Sequence, residues 1–330
     1  IEDISDNGEG VVGQFAGRVN QFRFTLQDSM LQARLVRRYG VKNTGMGKNA
    51  DQIIERSNTP GIFQSYKILA YTPDKKAVVV DMTELFLESS RLTNPFPSYA
   101  GNSLYGFVQR IHKFQSQRSE LLGICGNDNS MSVRCNLGFN VDRLVLGSFM
   151  QAKDVPVSVT VNKILMLLPE DPMRPRLADS RIGVNAIIQT ELPDVCQGIK
   201  TYYITKRWRI EPVDEIRYKQ GEMVDVKKPI VFYIDTLMPD SWIKYVKAGA
   251  EAWNAAFEKI GLRNVVRTEL FPKDSSFDAG DIHNSVIRYA PSWMYYPQYS
   301  MHTDPRTGEI LNASVYLPAN VASYFYTSRT

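Results

Sequence analysis

Apolar and polar residues alternate along much of the first two thirds of the chain, with the period of two that is typical of half-buried β-strands. Valine stands at positions 157, 159 and 161, and polar residues lie between them. Glu120–Ile124 and Asn140–Phe149 are also rich in β-branched and apolar residues. Shorter strands are predicted at Val19–Leu31, Leu35–Val41, Ile62–Leu69, Lys76–Val80, Ile182–Gln189 and Thr201–Ile210. We therefore expect a mainly antiparallel β domain over residues 14–213.

The pattern changes after residue 228. Pro229–Asp235 is a continuous apolar run, as in a strand that is buried on both faces. Val265–Phe271 and Ser285–Tyr289 are further strand candidates. Gln298–Asp304 and Glu309–Leu317 flank a turn that contains Pro and Gly, and they predict a hairpin. With one helix after the first strand, residues 229–330 are expected to form an α/β layer, and the whole chain is expected to have an α+β fold.

That helix is predicted over Ser241–Ile260. Its apolar residues fall on one stripe of an α-helix, namely Ile243, Val246, Ala250, Trp253, Phe257 and Ile260. Asp240 is placed to cap its N-terminus, and Gly261 stands where a helix ends. The pattern predicts one continuous helix that buries this stripe.

Two short segments lie outside these domains, one before the first domain and one between the two. Residues 1–13 are acidic and rich in Gly, and we expect them to form a flexible arm. Residues 214–228 are charged and are expected to connect the two domains. The chain begins with Ile rather than Met, so we expect it to be a piece of a longer protein.

Composition and charge exclude some classes of function. The chain has 330 residues, of which 43% are hydrophobic and 22% charged, as in ordinary globular proteins. The formal net charge is only +4, and the basic spots Arg34–Arg38 and Lys206–Arg209 are interleaved with apolar residues. We therefore expect no nucleic-acid partner. No apolar run approaches the roughly 18 residues that span a bilayer, so we expect no transmembrane segment.

Three cysteines leave the redox state open. Cys125 and Cys135 flank a polar loop and could form a disulfide in an oxidising compartment, or they could remain free thiols with Cys196. A zinc site would need a fourth ligand and a closer cysteine spacing, and neither is present.

The three histidines do not form a catalytic motif. His112, His283 and His302 are far apart in sequence, so the chain lacks the H-E-x-x-H pair that holds zinc on one helix face. We expect His112 to lie at the surface and His283 to be structural or exposed. The sequence therefore predicts no catalytic residue and no metal ligand in this chain.

Four stretches in one order nevertheless carry a resemblance. They are PIVFYID (Pro229–Asp235), GAEAWNAAFEKIGLRN (Gly249–Asn264), NSVIRYAPS (Asn284–Ser292) and DPRTGEILNASVYL (Asp304–Leu317). Together they resemble the first half of the catalytic domain in a family of bacterial secreted zinc-dependent metalloproteases of metzincin type. PEDPMRPRLADSRIG (Pro169–Gly183) is similar to a segment that precedes this domain in the same family.

The resemblance implies a secreted or periplasmic protease with a catalytic zinc, whose ligands and general base would lie beyond this chain. The zinc is therefore expected only in the full-length enzyme, and the chain alone is expected to be inactive. The resemblance also implies that an edge strand pairs with peptide substrate. That strand is expected at Tyr299, Ser300, Met301, His302 and Thr303, with Glu309–Leu317 as its inner neighbour. The alternative is a plain structural hairpin.

The basic run after Pro169 also has two interpretations. Arg174, Arg176 and Arg181, with Asp179, could dock the β-rich domain onto the protease domain, because arginine binds carboxylates through two hydrogen bonds. Alternatively, Asp179 pairs with one arginine and the others are solvated. We expect the interdomain role.

Two further hypotheses belong to other classes of function. The chain could be a non-enzymatic module that binds peptides or proteins on a degenerate protease scaffold, or a purely structural β-rich protein. Whether the chain is a protease fragment or a degenerate protease scaffold, half of a catalytic domain leaves one face of its sheet uncovered. We therefore also expect self-association through that surface.

Overall fold

The computed structural model describes eleven segments of the chain. They are residues 2–5, 20–36, 41–43, 59–89, 93–96, 100–103, 106–145, 149–192, 200–273, 277–290 and 297–327. Most of the expected flexible arm lies outside them, as does Cys196. The fold is confirmed as a β-rich α+β fold in which antiparallel pairs dominate the N-terminal part.

The regular elements described in the N-terminal part are mainly strands. In chain order they are β1 (Asp3–Ile4), β2 (Phe22–Gln27), β3 (Met30–Leu35), β4 (Val41–Asn43), β5 (Ile62–Tyr71), β6 (Val78–Val80), the short helix α1 (Thr83–Phe86), β7 (Ala100–Ser103), β8 (Gly106–Gly126), β9 (Ser130–Val145), β10 (Phe149–Met166), β11 (Ala186–Leu192) and β12 (Lys200–Thr205). Strands β8, β9 and β10 are much longer than the predicted segments, and β9 begins at Ser130, within the polar loop expected between Cys125 and Cys135.

The main core lies on one face of the sheet β1-β10-β9-β8-β7. Val157, Val159 and Val161 pair in register with Phe139, Leu137 and Cys135, and all six side chains are buried. This confirms the predicted alternation. The sheet β2-β3-β5-β6 and α1 cover this face with Ala33, Tyr66, Leu85 and Phe86.

The described part of the N-terminal arm is ordered, which differs from the prediction. Asp3 and Ile4 pair with Thr160 and Val159 of β10. Ile4 packs against the main core. The free edge of β10 offers backbone hydrogen bonds that a loose arm would leave unused.

The C-terminal part has its own sheet. Its elements are α2 (Glu215–Lys219), β13 (Val224–Asp225), β14 (Ile230–Ile234), α3 (Asp240–Glu251), α4 (Asn254–Glu258), β15 (Leu262–Arg263), β16 (Val266–Leu270), β17 (Ser285–Ala290), β18 (Gln298–Thr303), β19 (Ile310–Pro318) and α5 (Val321–Thr327). The sheet has the order β16-β14-β17-β19-β18, and only β18 runs antiparallel to its neighbour. This is the expected α/β layer.

The predicted single helix is in fact two, α3 and α4, separated at Ala252 and Trp253. Side chains at the break are anchored to β16. The Asn254 amide makes two 2.8 Å hydrogen bonds with the Val266 backbone, and the Glu251 carboxylate accepts hydrogen bonds from Thr268. These hydrogen bonds hold the segment around Ala252 and Trp253 close to β16.

Two other features of the predicted helix are wrong. Pro239 rather than Asp240 is the N-cap residue, and no side chain caps the helix. Trp253 and Ile260 are exposed, so the stripe that packs against the core is limited to the partly buried Ile243, Val246, Ala250 and Phe257. Gly261 does end the helical segment, and its φ of 82° requires glycine.

The expected charged connector is a folded part of the C-terminal unit. Asp214 caps α2 by accepting hydrogen bonds from the backbone of Ile216 and Arg217. Strand β13 pairs with β15, and Val224 and Val226 are buried beside Leu262. The charged composition of this segment gave no sign that Val224 and Val226 would be buried, because their burial depends on pairing with a distant strand.

Cys125 and Cys135 are both free thiols, the first exposed and the second buried. In the part of the chain that is described, none of the helices is both long and apolar enough to cross a membrane.

Candidate functional site

Strand β18 is one edge of the C-terminal sheet, and β19 is its only neighbour in the sheet order. Tyr299 pairs with Val315, Ser300 with Ser314, Met301 with Ala313 and His302 with Asn312. A bulge follows His302 and shifts Thr303 opposite Ile310. Among the strands that the structure describes, none pairs with the outer side of β18.

The side chains of β18 alternate between two different surroundings. Val315 and Leu317 belong to the core under α3, so Tyr299, which pairs with Val315, lies on that same face. Tyr299 is 66% exposed. Ser300 and His302 lie on the opposite face, where they line a cleft.

This cleft, of about 810 Å³, lies between the C-terminal sheet and the N-terminal β domain. One wall is the polar face of the sheet, with Arg288, Ser300, His302, Asn312, Ser314 and Tyr316. The other wall is mostly apolar and includes Phe22, Leu85, Phe86, Val161 and Leu165. A concave surface with many apolar groups and a few polar ones is the usual form of a small-ligand site.

The polar wall is held by its own hydrogen bonds. Asn312 donates to the carbonyl oxygen of Asn284 at 2.8 Å, and Ser314 donates to Asn312. Burial raises the pKa of Tyr316 although the Arg288 charge and hydrogen bonds with Ser300 and Ser314 oppose the shift. Burial also lowers the pKa of His302, which favours a neutral imidazole.

Lys163 and three acidic residues also line the cleft. The Lys163 ammonium donates to the carbonyl oxygen of Glu88 at 2.9 Å, and burial lowers its pKa to about 8. Glu2 forms an ion pair with Arg134, Asp281 lies 2.8 Å from His283 Nδ1, and Asp128 is exposed. These lining charges therefore have partners or reach solvent.

Arg288 is different. Among the described residues it makes no side-chain hydrogen bond or salt bridge, and its Nε atom is buried without a partner. A half-buried guanidinium without an anion is costly in free energy. The Oδ1 atom of Asn162, which lines the same cleft, is also buried and unpartnered, while its Nδ2 atom donates to Gly280.

The basic run after Pro169 lies at the junction of the two domains, but its side chains do not have the predicted roles. Arg181 is exposed and forms a local pair with Asp179 at 2.5 Å, as in the alternative interpretation. Arg174 and Arg176 are exposed. They contribute backbone instead, because their carbonyl oxygens accept hydrogen bonds from Arg207 and Thr205.

The charged contacts that dock the domains come from other residues. Arg209 binds Glu309 through Nε and Nη2 at 2.9 and 2.8 Å, and it also donates to Asp171. Arg306 donates to the carbonyl oxygen of Pro169 at 2.7 Å and to the fully buried carboxylate of Asp304. Sequence reasoning missed them because Lys206–Arg209 had the pattern of a solvated surface.

Backbone contacts reinforce this junction. Arg207 N donates to Gly308 O at 2.9 Å, and Ile310 N donates to Arg207 O at 2.8 Å. Gly308 has a φ of 74°, and a β-carbon there would collide with the carbonyl oxygen of Thr205. The turn that the sequence predicted between β18 and β19 therefore sits directly against the end of β12.

The histidines do not come together. His112 is half-buried and stacks on Phe96 with a centroid distance of 4.1 Å, so the prediction of a surface residue is wrong. His283 is exposed, as expected. Within the described segments, no group of three or more His, Cys, Asp or Glu side chains is placed to hold a metal ion.

Comparison with known families matches residues 13–213 to a domain of unknown function, DUF5117. No curated protein matches the chain, and no solved structure matches it. The match spans the N-terminal β-rich part, and the C-terminal sheet that carries β18 lies outside it.

Proposed function

The chain belongs to the DUF5117 family, and we propose that it is the N-terminal portion of an extracytoplasmic zinc metalloprotease. The observation that supports the proposal most is the position of β18. It is the antiparallel edge of a sheet that is otherwise parallel, and it lies at the place in the chain where the resemblance implies the substrate-binding strand.

The proposed contribution of this chain is to bind and align the substrate. An extended peptide that pairs with the outer side of β18 would continue the ladder that β19 begins. Backbone pairing holds the peptide in an extended form, and alternate side chains then point to the two faces of the sheet. Tyr299 would contact side chains on the α3 face, and Ser300 and His302 would contact those on the cleft face.

The described residues do not fit a catalytic zinc site, because they contain no cluster of three metal-binding side chains. On the resemblance alone, we propose that the zinc ligands and the general base belong to a part of the protein that follows this chain. No step of hydrolysis is assigned to residues of this chain.

Proteolysis by the longer protein tests the enzymatic part. A protein extended past Thr330 should cleave an unfolded protein substrate, and a zinc chelator should abolish the cleavage. The present chain, assayed beside it, should cleave nothing. An extended protein without chelator-sensitive cleavage would remove the support for a protease.

Binding by this chain tests the strand-addition part separately. The probe is a C-terminally amidated peptide that forms an extended strand. Two N-methylated versions are compared with it: one is methylated on every odd backbone amide and the other on every even one. Only one set of N–H groups faces β18, so one version should lose binding and the other should keep it. Equal binding by both versions contradicts pairing at this edge.

The same edge supports the alternative, a non-enzymatic peptide-binding module. This alternative requires that the chain bind the peptide as just described and that the longer protein contain no zinc-binding motif after residue 330. The two outcomes are separable, because the module predicts strand addition without chelator-sensitive proteolysis in the extended protein.

A further inference from the structure

We propose that the cleft between the two domains binds the C-terminal carboxylate of a peptide, with Arg288 as the residue that recognises it. This site uses side chains inside the cleft, whereas strand addition uses the outer backbone of β18, and it does not depend on the proposed protease function. It takes a ligand with three features: a carboxylate, an amide N–H beside it and an apolar side chain.

The carboxylate is inferred from Arg288. Its side chain lines the cleft and lacks an anionic partner among the described residues. The acidic residues of the cleft do not supply one, since Glu2 pairs with Arg134 and Asp281 contacts His283. A guanidinium binds a carboxylate through two parallel hydrogen bonds, and such bonds are strong where water is partly excluded.

The position of Arg288 supports a bound anion rather than a chance surface charge. Arg288 lies on the central strand β17, directly opposite Tyr316 of β19 in the register. Tyr316 is fixed by Ser300 and Ser314, which belong to the same polar wall. A carboxylate at Arg288 would therefore lie beside hydroxyl groups whose positions the sheet already sets.

The amide N–H is inferred from Asn162. Its Nδ2 atom points to the carbonyl oxygen of Gly280, which leaves Oδ1 as a buried acceptor without a donor. Asn162 and Arg288 stand on opposite sides of the cleft, one on β10 and the other on β17. An N-acylated amino acid carries both a donor and an anion, so it offers a chemically suitable partner for each of these two groups.

The apolar side chain is inferred from the opposite wall. Phe22 and Leu165 are only partly buried and pack on the main core from the cleft side. They provide apolar surface in the same cleft. A volume of about 810 Å³ has room for one or two residues of a peptide end.

Two small probes test the site in the whole chain. N-acetylphenylalanine has all three features, and N-acetylphenylalaninamide differs only in lacking the charge. Calorimetric titration should give millimolar or tighter binding of the acid and about ten- to a hundred-fold weaker binding of the amide, as expected for one charge-assisted contact. Equal affinities, or no binding of the acid at millimolar concentration, would overturn the proposal.

Substitutions then locate the binding. Arg288→Gln should abolish the preference for the acid, and it should not impair folding because it removes an unpaired, half-buried charge. Arg181→Gln removes an exposed arginine elsewhere and should leave the preference intact. If Arg288→Gln kept the preference, Arg288 would not be the recognition residue. The amidated peptides used for β18 cannot report on this site, so the two proposals fail independently.

Discussion

Arg209 holds Glu309 by two hydrogen bonds across 100 positions of the chain, and the pair ties the β-rich domain to the C-terminal sheet. Glu309 is only 8% exposed, whereas Arg209 reaches the surface and also binds Asp171. The bidentate geometry fixes orientation as well as distance. Together with Arg306, this pair supplies the charged contacts between the two domains that were expected from the side chains of the basic run after Pro169.

Loss of the Glu309 charge should weaken that link. Glu309→Gln keeps the size of the side chain but leaves Arg209 with only the exposed carboxylate of Asp171, and we expect a loss of about 1–3 kcal/mol in the free energy of unfolding. Glu222→Gln breaks an exposed pair with Arg217 and should cost less than about 1 kcal/mol. Urea denaturation of both variants measures the difference, and equal losses would contradict a structural role for the Arg209–Glu309 pair.

The turn at Gly308 should not tolerate a side chain. Gly308→Ala introduces a β-carbon at positive φ and against the Thr205 carbonyl oxygen, so we expect a loss of at least about 1 kcal/mol. Gly249→Ala is the matched control, because Gly249 lies in α3 with open space around it. That control should gain about 0.5–1 kcal/mol. A Gly308→Ala variant that unfolded at or above the wild-type temperature would contradict a close contact between Gly308 and the Thr205 carbonyl oxygen.

The buried His302 should make stability depend on pH. Burial lowers its folded pKa below the model-compound value of 6.5, so the unfolded chain binds the proton more readily. The contribution of the neutral His302 side chain to the free energy of unfolding is therefore complete above about pH 6.5. It is lost as the pH falls from there toward the folded pKa. His302→Gln should flatten this fall in the urea midpoint, and His283→Gln, at an exposed histidine, should change it less. Identical pH profiles for the two variants would contradict a depressed pKa at position 302.

Self-association is expected through surface that half of a catalytic domain would leave open, and we test it at the exposed Tyr299 of the C-terminal sheet. Tyr299 is 66% exposed there, beside the partly buried Val315 and Leu317. Tyr299→Ser should reduce the concentration-dependent increase in mass seen by sedimentation. Tyr203→Ser removes a tyrosine that is 50% exposed on β12 and should leave the increase unchanged. A monomeric wild-type chain at all concentrations would refute the expectation.

The alternating and apolar patterns of the sequence determined most of the elements and the fold class. Val157, Val159 and Val161 are buried as the period of two requires, and Gly261 ends its helical segment because few other residues adopt that φ. The hairpin of β18 and β19 also lies where the Pro and Gly of its turn predict it. These features depend on neighbours within a few residues, so a local pattern is enough to specify them.

Tertiary structure alone decided the contacts between distant segments. Helices α3 and α4 separate where Asn254 and Glu251 bind β16, and the connector folds because β13 finds β15. Arg209 finds Glu309, and Arg288 is left facing a cleft whose other wall comes from the N-terminal domain. No periodicity encodes such pairings, since each depends on where the chain returns in space. The sequence by itself therefore determined the strands and their class, and only the tertiary structure decided which side chains they bring together.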